Sequence, residues 1–261
     1  MARSREGLLV VRPILLATLL WGSLFPIALR AETVSVAVTA SFAKPFRELA
    51  AAFERRTRHG VEISAGSTGK LFAQIVHGAP YHLFVAADAV RPRELEEKGL
   101  VTARGVTTLG FGRLLLWSPD PALLTDGGEP YLRRRSGEKL ALANPESAPF
   151  GQAAQEAMRH LRVWDSLQPR LVFGENVGQV MAFVTSGNAE AGFIAKSQYF
   201  DPAIRDTGSF WEVPDSWHTP LPQEAVLLLA GERLQAAHEL VAYLRSPPAQ
   251  AEMRRWGYDP P

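Results

Sequence analysis

The feature that most constrains the fold is an alternation of strand-like and helix-like segments that runs through most of the chain. Short apolar runs predict buried strands, and segments with apolar residues three and four positions apart predict helices between them. The first strand is predicted over 34–38, and the helix after it carries Phe46, Leu49 and Phe53 on one face. This alternation predicts an α/β fold with mainly parallel strands.

Two crossings of the chain divide the predicted elements into two lobes. The crossings are predicted near 107–117 and 221–230. They assign residues 32–112 and 222–261 to lobe I and residues 113–221 to lobe II. Small ligands commonly bind at the interface between such lobes, so we expect a ligand in the cleft.

One segment is predicted to lack regular structure. The segment 210–222 is rich in Trp and Pro, which is typical of a loop. A late helix is predicted over 234–244, and Pro247, Pro248 and the tail Trp256-Gly257-Tyr258 end the chain.

Residues 1–31 have the layout of a secretory signal peptide. Three arginines precede an apolar stretch over 13–29, and Ala31 closes a predicted cleavage site, Ala28-Leu29-Arg30-Ala31. The alternative is a membrane anchor, but the stretch is shorter than the ~20 residues that span a bilayer. We therefore predict export to the periplasm.

Charge and cysteine content limit the partners of the mature chain. The leader carries four arginines and one glutamate, so the remainder of a chain with net charge +1 lies near −2. A chain of this balance has no basic field for nucleic acid. The absence of cysteine excludes disulfides and thiolate metal sites, and it predicts an exported protein without a lipid anchor on an N-terminal cysteine.

Four short segments place backbone N–H groups at the starts of predicted helices. They cover residues 39–42, 66–70, 148–151 and 175–178. The first turn of a helix has unpaired N–H groups and carries the positive end of the helix dipole. Several such ends that point at one spot can hold an oxyanion without a charged side chain.

The segment 66–70, Gly-Ser-Thr-Gly-Lys, admits three interpretations. A Walker loop is excluded, because the chain lacks the residues that it requires at positions 64 and 71. Ser67 and Lys70 satisfy the S-x-x-K pattern of acyl-serine hydrolases, but the S-D-N and K-T-G elements that accompany this pattern are absent. The third interpretation is an anion cradle at a helix start, with hydroxyl donors from Thr68 and Ser67.

The other three segments each have an ordinary structural alternative. Ser41 lies between the first strand and the first helix, where it can serve as an N-cap or as a ligand donor. Phe150 lies between a proline and a glycine at a helix start, and Val177 follows Asn176 at another. Phe150 and Val177 would contribute their backbone N–H groups, and an ordinary helix start is the alternative for both.

Charged residues and enzyme motifs add no further residue to these candidate ligand donors. Lys44, Arg47 and Lys70 are interpreted as solvated charges on helix faces. The six histidines form no H-E-x-x-H pattern, and the chain has no G-x-S-x-G element. The sequence therefore favours a binding protein over an enzyme.

In order and spacing, the four segments resemble those of the periplasmic molybdate-binding proteins of bacterial molybdate ABC transporters, over nearly all of the mature chain. The most specific stretches are 66–75 (GSTGKLFAQI), 78–81 (GAPY), 84–88 (FVAAD), 143–146 (ANPE), 148–151 (APFG), 186–193 (SGNAEAGF) and 257–258 (GY). The resemblance implies a type II, two-lobed periplasmic-binding-protein fold that closes on a tetrahedral oxyanion by a hinge motion.

The resemblance also implies a ligand-binding set. Ser41 and Thr68 would give hydroxyl and backbone donors, and Phe150 and Val177 would give backbone N–H donors. These residues would bind the oxygens of molybdate, with no direct ligand to the metal. Some members of the family have a tyrosine at the position of Ala195, and this chain cannot make the contact of that hydroxyl.

The resulting hypothesis is a monomeric solute-binding protein that captures molybdate or tungstate and delivers it to an ABC permease. It needs no cofactor. One alternative is a binding protein for another tetrahedral oxyanion, namely sulfate, phosphate or tungstate alone. Two others are a secreted serine hydrolase that uses Ser67 and Lys70, and a sensor or scaffold that changes its contacts when the ligand binds.

Overall fold

The computed structural model describes residues 31–134 and 137–261. Within these ranges the chain forms ten strands and ten α-helices. The strands are β1 (Thr33–Thr39), β2 (Gly60–Gly66), β3 (Leu83–Ala86), β4 (Val101–Gly112), β5 (Leu114–Ser118), β6 (Leu140–Ala143), β7 (Leu171–Gly174), β8 (Ala191–Ala195), β9 (Ser209–Glu212) and β10 (Leu221–Leu228). The α-helices are α1 (Ala43–Thr57), α2 (Thr68–Val76), α3 (Val90–Glu97), α4 (Gly128–Leu132), α5 (Pro149–His160), α6 (Trp164–Leu167), α7 (Val177–Thr185), α8 (Lys196–Tyr199), α9 (Gln235–Leu244) and α10 (Pro247–Arg255).

The strands form two five-stranded sheets, which we call the first and second halves together with their helices. The first sheet has the order β2-β1-β3-β10-β4, and the second has the order β7-β6-β8-β5-β9. The chain passes between the sheets twice. It leaves the first sheet at Gly112 and enters the second at Leu114, and it returns between Glu212 and Leu221.

The prediction of mainly parallel strands is wrong, because the sheets are mixed. Within the group β2-β1-β3, and within the group β7-β6-β8, adjacent strands are parallel. The antiparallel pairings between the strands named above all involve β5 or β10. These are the strands that follow the two crossings. They arrive from the other sheet without a helical crossover, so the constraint that makes strand–helix–strand units parallel does not apply to them.

Helix α1 shows how the apolar pattern builds the first half. Phe46, Leu49 and Phe53 recur at helical spacing and are at most 1% exposed. Burial of each contributes about 1.5–3 kcal/mol to the free energy of unfolding. The helix ends at Arg58, which adopts the left-handed conformation with φ 66° and donates its N–H to the carbonyl of Glu54.

The segment that was predicted to be a loop contains regular structure. Residues 210–222 include most of β9, which pairs with β5, and the start of β10. Composition indicated a loop here, and pairing with distant strands overrode it.

The sequence analysis did not predict helix α10, which begins at Pro247. Proline suits this position because the first turn of a helix needs no N–H donor.

The predicted signal peptide falls almost entirely on residues 1–30, which lie outside the described residues. In the part of the chain that the structure describes, every helix is too short or too polar to cross a membrane.

Candidate functional site

A small cavity of about 10 Å³ lies where the two halves meet. This volume is far below the ~300–1,000 Å³ of pockets for organic ligands. The lining residues of the first half are Thr39, Ala40, Ser41, Ser67 and Thr68, and those of the second half are Ala148, Pro149, Phe150, Asn176 and Val177. The structure thus brings all four residues predicted to bind the ligand, Ser41, Thr68, Phe150 and Val177, to one cavity.

Three of these residues reach the cavity because they stand in the first turn of a helix. Thr68 begins α2, Phe150 is the second residue of α5, and Val177 begins α7. Ser41 lies in the turn between β1 and α1. The amide N–H groups of all four residues have no acceptor within residues 31–134 and 137–261. They are therefore available as donors to a bound anion.

Neighbouring side chains cap two of these helices and leave the first amide of each helix free. The Ser67 hydroxyl accepts a hydrogen bond from the Lys70 N–H at 3.4 Å. The Asn176 side chain accepts from the N–H groups of Gly178 at 2.9 Å and Gln179 at 3.2 Å. Both caps satisfy donors deeper in the helix, so the first N–H is not consumed.

The N-cap interpretation of Ser41 is wrong. Helix α1 begins at Ala43, and its N-cap residue is Phe42, which makes no side-chain cap. The Ser41 hydroxyl instead belongs to a buried cluster at the cavity. This difference arises because the turn after β1 adds one residue between Ser41 and the helix.

Three buried hydroxyl groups form that cluster. The Thr68 hydroxyl donates to the Thr39 hydroxyl at 3.1 Å, and the Thr39 and Ser41 oxygens lie 3.4 Å apart. The Ala87 N–H donates to the Thr68 oxygen at 3.3 Å, so this oxygen is held in place. The cluster holds the oxygen atoms of these three hydroxyl groups in place beside the free amides.

The sequence analysis did not single out Thr39 or Asn176 as lining residues. Thr39 stands in the first of the four segments, at the end of a predicted strand, and this position was the available signal. Asn176 was noted only as a helix-start residue. Ala195 is buried but is not among the described residues that line the cavity.

Among the described residues, no charged side chain lines the cavity. Lys44 and Lys70, which follow two of the lining segments, are half-exposed and pair with carboxylates of the second half, Lys44 with Asp201 and Lys70 with Glu175 at 3.0 Å. Among the described residues there is no group of three or more His, Cys, Asp or Glu side chains that could hold a metal ion. Any anion here is bound by neutral donors and helix dipoles.

The two halves touch directly beside the cavity. The Gly69 N–H donates to the carbonyl of Ser147 at 2.8 Å, and the Arg91 guanidinium donates to the carbonyl of Glu146 at 3.3 Å. A side chain at Gly69 would have no room, because its Cβ would lie 2.8 Å from the Ser147 oxygen. The structure is therefore a closed form, in which the halves meet over the cavity.

A cavity enclosed between two halves, with the chain passing twice between them, is the arrangement of a two-lobed solute-binding protein of the type II fold. The chain belongs to the bacterial extracellular solute-binding protein family, whose model matches residues 34–259. The predicted fold class and the interpretation as a binding protein, not an enzyme, are thereby confirmed.

Similar proteins include several that bind molybdate. The molybdate-binding protein ModA of Azotobacter vinelandii is 38% identical over 243 residues, which cover 93% of this chain and 96% of that protein. ModA of Rhodobacter capsulatus is 39% identical over 228 residues, which cover 87% of this chain and 88% of that protein. A solved structure of the Azotobacter vinelandii periplasmic molybdate-binding protein matches with a TM-score of 0.83 at 33% identity, over 87% of this chain and 99% of that chain.

The contacts of Ser67 and Lys70 also argue against the serine hydrolase alternative. The Ser67 oxygen accepts a hydrogen bond in a helix cap, and the Lys70 ammonium lies 3.0 Å from Glu175. An acyl-transfer nucleophile needs a base within hydrogen-bond reach that can take its proton. A charged lysine paired with a carboxylate is not such a base.

Proposed function

We propose that this protein captures molybdate in the periplasm and delivers it to an ABC permease. The observation that carries the proposal is the small cavity, which both halves line with amide and hydroxyl donors and no charged side chain. Similar proteins named for molybdate support the choice of ligand. Molybdate is the transported ligand in this proposal, and the protein needs no cofactor.

In the proposed complex, the oxygens of the ion accept hydrogen bonds from both halves. Ser41 and Thr68 donate amide and hydroxyl protons, and Phe150 and Val177 donate amide protons. The Thr68 hydroxyl has one proton, so it would turn from Thr39 to the ion when the ligand binds. Each donor would lie about 2.7–3.1 Å from a ligand oxygen. Since no cation pairs with the ion, closure of the halves over the donors holds it, and opening releases it to the permease.

Fixed donors favour one size of ion. Molybdate and tungstate are nearly equal in size, so we propose that tungstate also binds. Sulfate has the same shape and charge but is smaller, so its oxygens cannot reach donors from both halves at normal hydrogen-bond distance. Weaker sulfate binding follows.

For the two lobes we propose the boundaries that the sequence predicts. Lobe I is residues 32–112 and 222–261, and lobe II is residues 113–221. The end of β4 at Gly112 and the start of β10 at Leu221 support these boundaries. In the same proposal residues 1–31 direct export, and the mature protein is a monomer without a lipid anchor.

Molybdate is expected to raise the melting temperature of the mature protein, because a ligand bound only by the folded state stabilises it. At a thousandfold excess over Kd the shift should be on the order of 10 °C. Differential scanning fluorimetry with molybdate, tungstate, sulfate and phosphate measures it. Equal stabilisation by millimolar sulfate, with none from molybdate, would contradict the proposal.

Molybdate affinity is expected to change less than about twofold between about pH 6 and pH 9, because no lining side chain titrates in this range. The ligand must remain a dianion under these conditions. Isothermal titration calorimetry at several pH values in matched ionic strength tests this expectation. A steep loss of affinity as a histidine titrates would place a charged group in the site.

A further inference from the structure

The carbonyl oxygen of Ser41 accepts two hydrogen bonds from buried hydroxyl groups. The Ser197 hydroxyl donates to it at 2.7 Å, and the Tyr258 hydroxyl donates at 2.8 Å. Ser41, Ser197 and Tyr258 are 2, 3 and 4% exposed, so water does not replace either donor in this form. Both lone pairs of the carbonyl are used.

The two donors belong to different halves. Tyr258 packs edge-to-face against Phe42 with ring centroids 5.0 Å apart, and the next residue, Asp259, pairs with Phe111 of β4. Ser197 lies on α8, directly after β8 of the second sheet. The bond from Tyr258 therefore forms within the first half, whereas the bond from Ser197 requires the second half to be in place.

Tyr258 is a permanent donor. Burial raises the pKa of its phenol, and the neighbouring Ser197 side chain lowers that pKa only in part. The phenol is protonated at neutral pH and keeps its bond to the Ser41 carbonyl. The Ser197 bond is then the contact at this carbonyl that can change when the halves move.

We propose that Ser197 couples closure of the halves to ligand binding, because its hydroxyl completes the hydrogen bonding of Ser41 only in the closed form. This inference rests on the proposed function, since Ser41 must be a ligand donor for the coupling to matter. Ser197 does not line the cavity and acts through Ser41, so it is a positioning residue. Its hydrogen bond stabilises the closed complex and slows ligand release.

The test compares Ser197→Ala with Tyr258→Phe, which removes the other donor to the same carbonyl. Kd and the dissociation rate for molybdate are measured by calorimetry and stopped-flow tryptophan fluorescence, and the melting temperature is measured without ligand. Ser197→Ala should raise Kd about fivefold through faster dissociation, with the ligand-free melting temperature unchanged. Tyr258→Phe should lower the ligand-free melting temperature, because its bond persists in the open form. Ser197→Thr, which keeps a hydroxyl, should restore most of the affinity.

Two results would overturn the inference. If the wild type binds molybdate and Ser197→Ala binds it equally well, the contact does not contribute to closure. If Ser197→Ala lowers the ligand-free melting temperature as Tyr258→Phe does, the contact is present in the open form and couples nothing. A wild type that binds none of molybdate, tungstate and sulfate would instead reject the proposed function, and this inference with it.

Discussion

Replacement of Thr68 by valine is expected to weaken molybdate binding by about 10- to 100-fold. Valine keeps the shape of threonine but removes the hydroxyl that lies in the cavity. A hydrogen bond to a charged group is worth about 1.5–3 kcal/mol, which corresponds to this loss in affinity. Thr68 is fully buried, so water cannot take the place of its hydroxyl.

The same substitution also leaves other groups without partners, and this effect must be measured separately. The Ala87 N–H would lose its acceptor, and the Thr39 hydroxyl would lose its neighbour. We expect the free energy of unfolding of the ligand-free protein to fall by about 1–3 kcal/mol. Thr68→Ser is the matched control, because it keeps the hydroxyl, and its Kd should stay within about threefold of the wild-type value. Unchanged affinity in Thr68→Val would remove Thr68 from the site.

Replacement of Gly69 by alanine is expected to lower affinity and to leave the ligand-free protein as stable as before or more so. The new Cβ would lie 2.8 Å from the oxygen and 3.0 Å from the Cα of Ser147, which belongs to the second half. Both atoms belong to the backbone of Ser147 and cannot rotate away as a side chain could, so the halves must part. Overpacking of this kind costs about 1–3 kcal/mol, which corresponds to a rise in Kd of about 5- to 100-fold.

Gly69→Ala should lower affinity without lowering the stability of the ligand-free protein, and this combination makes the test specific. Gly69 is in the first turn of α2, where alanine favours the helix over the unfolded chain. The open form lacks the contact with Ser147 and therefore gains only this benefit. Gly66→Ala is the matched control, since its Cβ would make ordinary contacts of 3.4 Å or more with Leu71 of the same half. If both variants bind molybdate as the wild type does, the halves do not close to the extent seen here.

The alternation of strands and helices could be predicted because each pattern is local. The apolar spacing in α1 and the apolar run of β1 are recorded in consecutive residues, and the structure places both elements where the patterns predict them. The direction of β5 and β10 could not be predicted in this way. It depends on which sheet each strand enters after a crossing, and no local pattern records that choice.

The candidate site, like the fold, could be predicted only where its signals are local. Glycine, proline and capping residues at 66–70, 148–151 and 175–178 predicted three helix starts, and all three are present. Ser41 was a weaker signal, because a serine before a helix usually caps it. Only the folded chain shows that α1 begins two residues later and that the Ser41 hydroxyl joins Thr39 and Thr68.

The sequence alone determined that several helices begin with free amides, since the first turn of a helix exposes its N–H groups whatever lies around it. The tertiary structure decided that these turns meet in one cavity and that Ser197 and Ser147 of one half contact Ser41 and Gly69 of the other. Convergence depends on how two sheets pack and cross, and that arrangement is set by contacts between residues far apart in the chain.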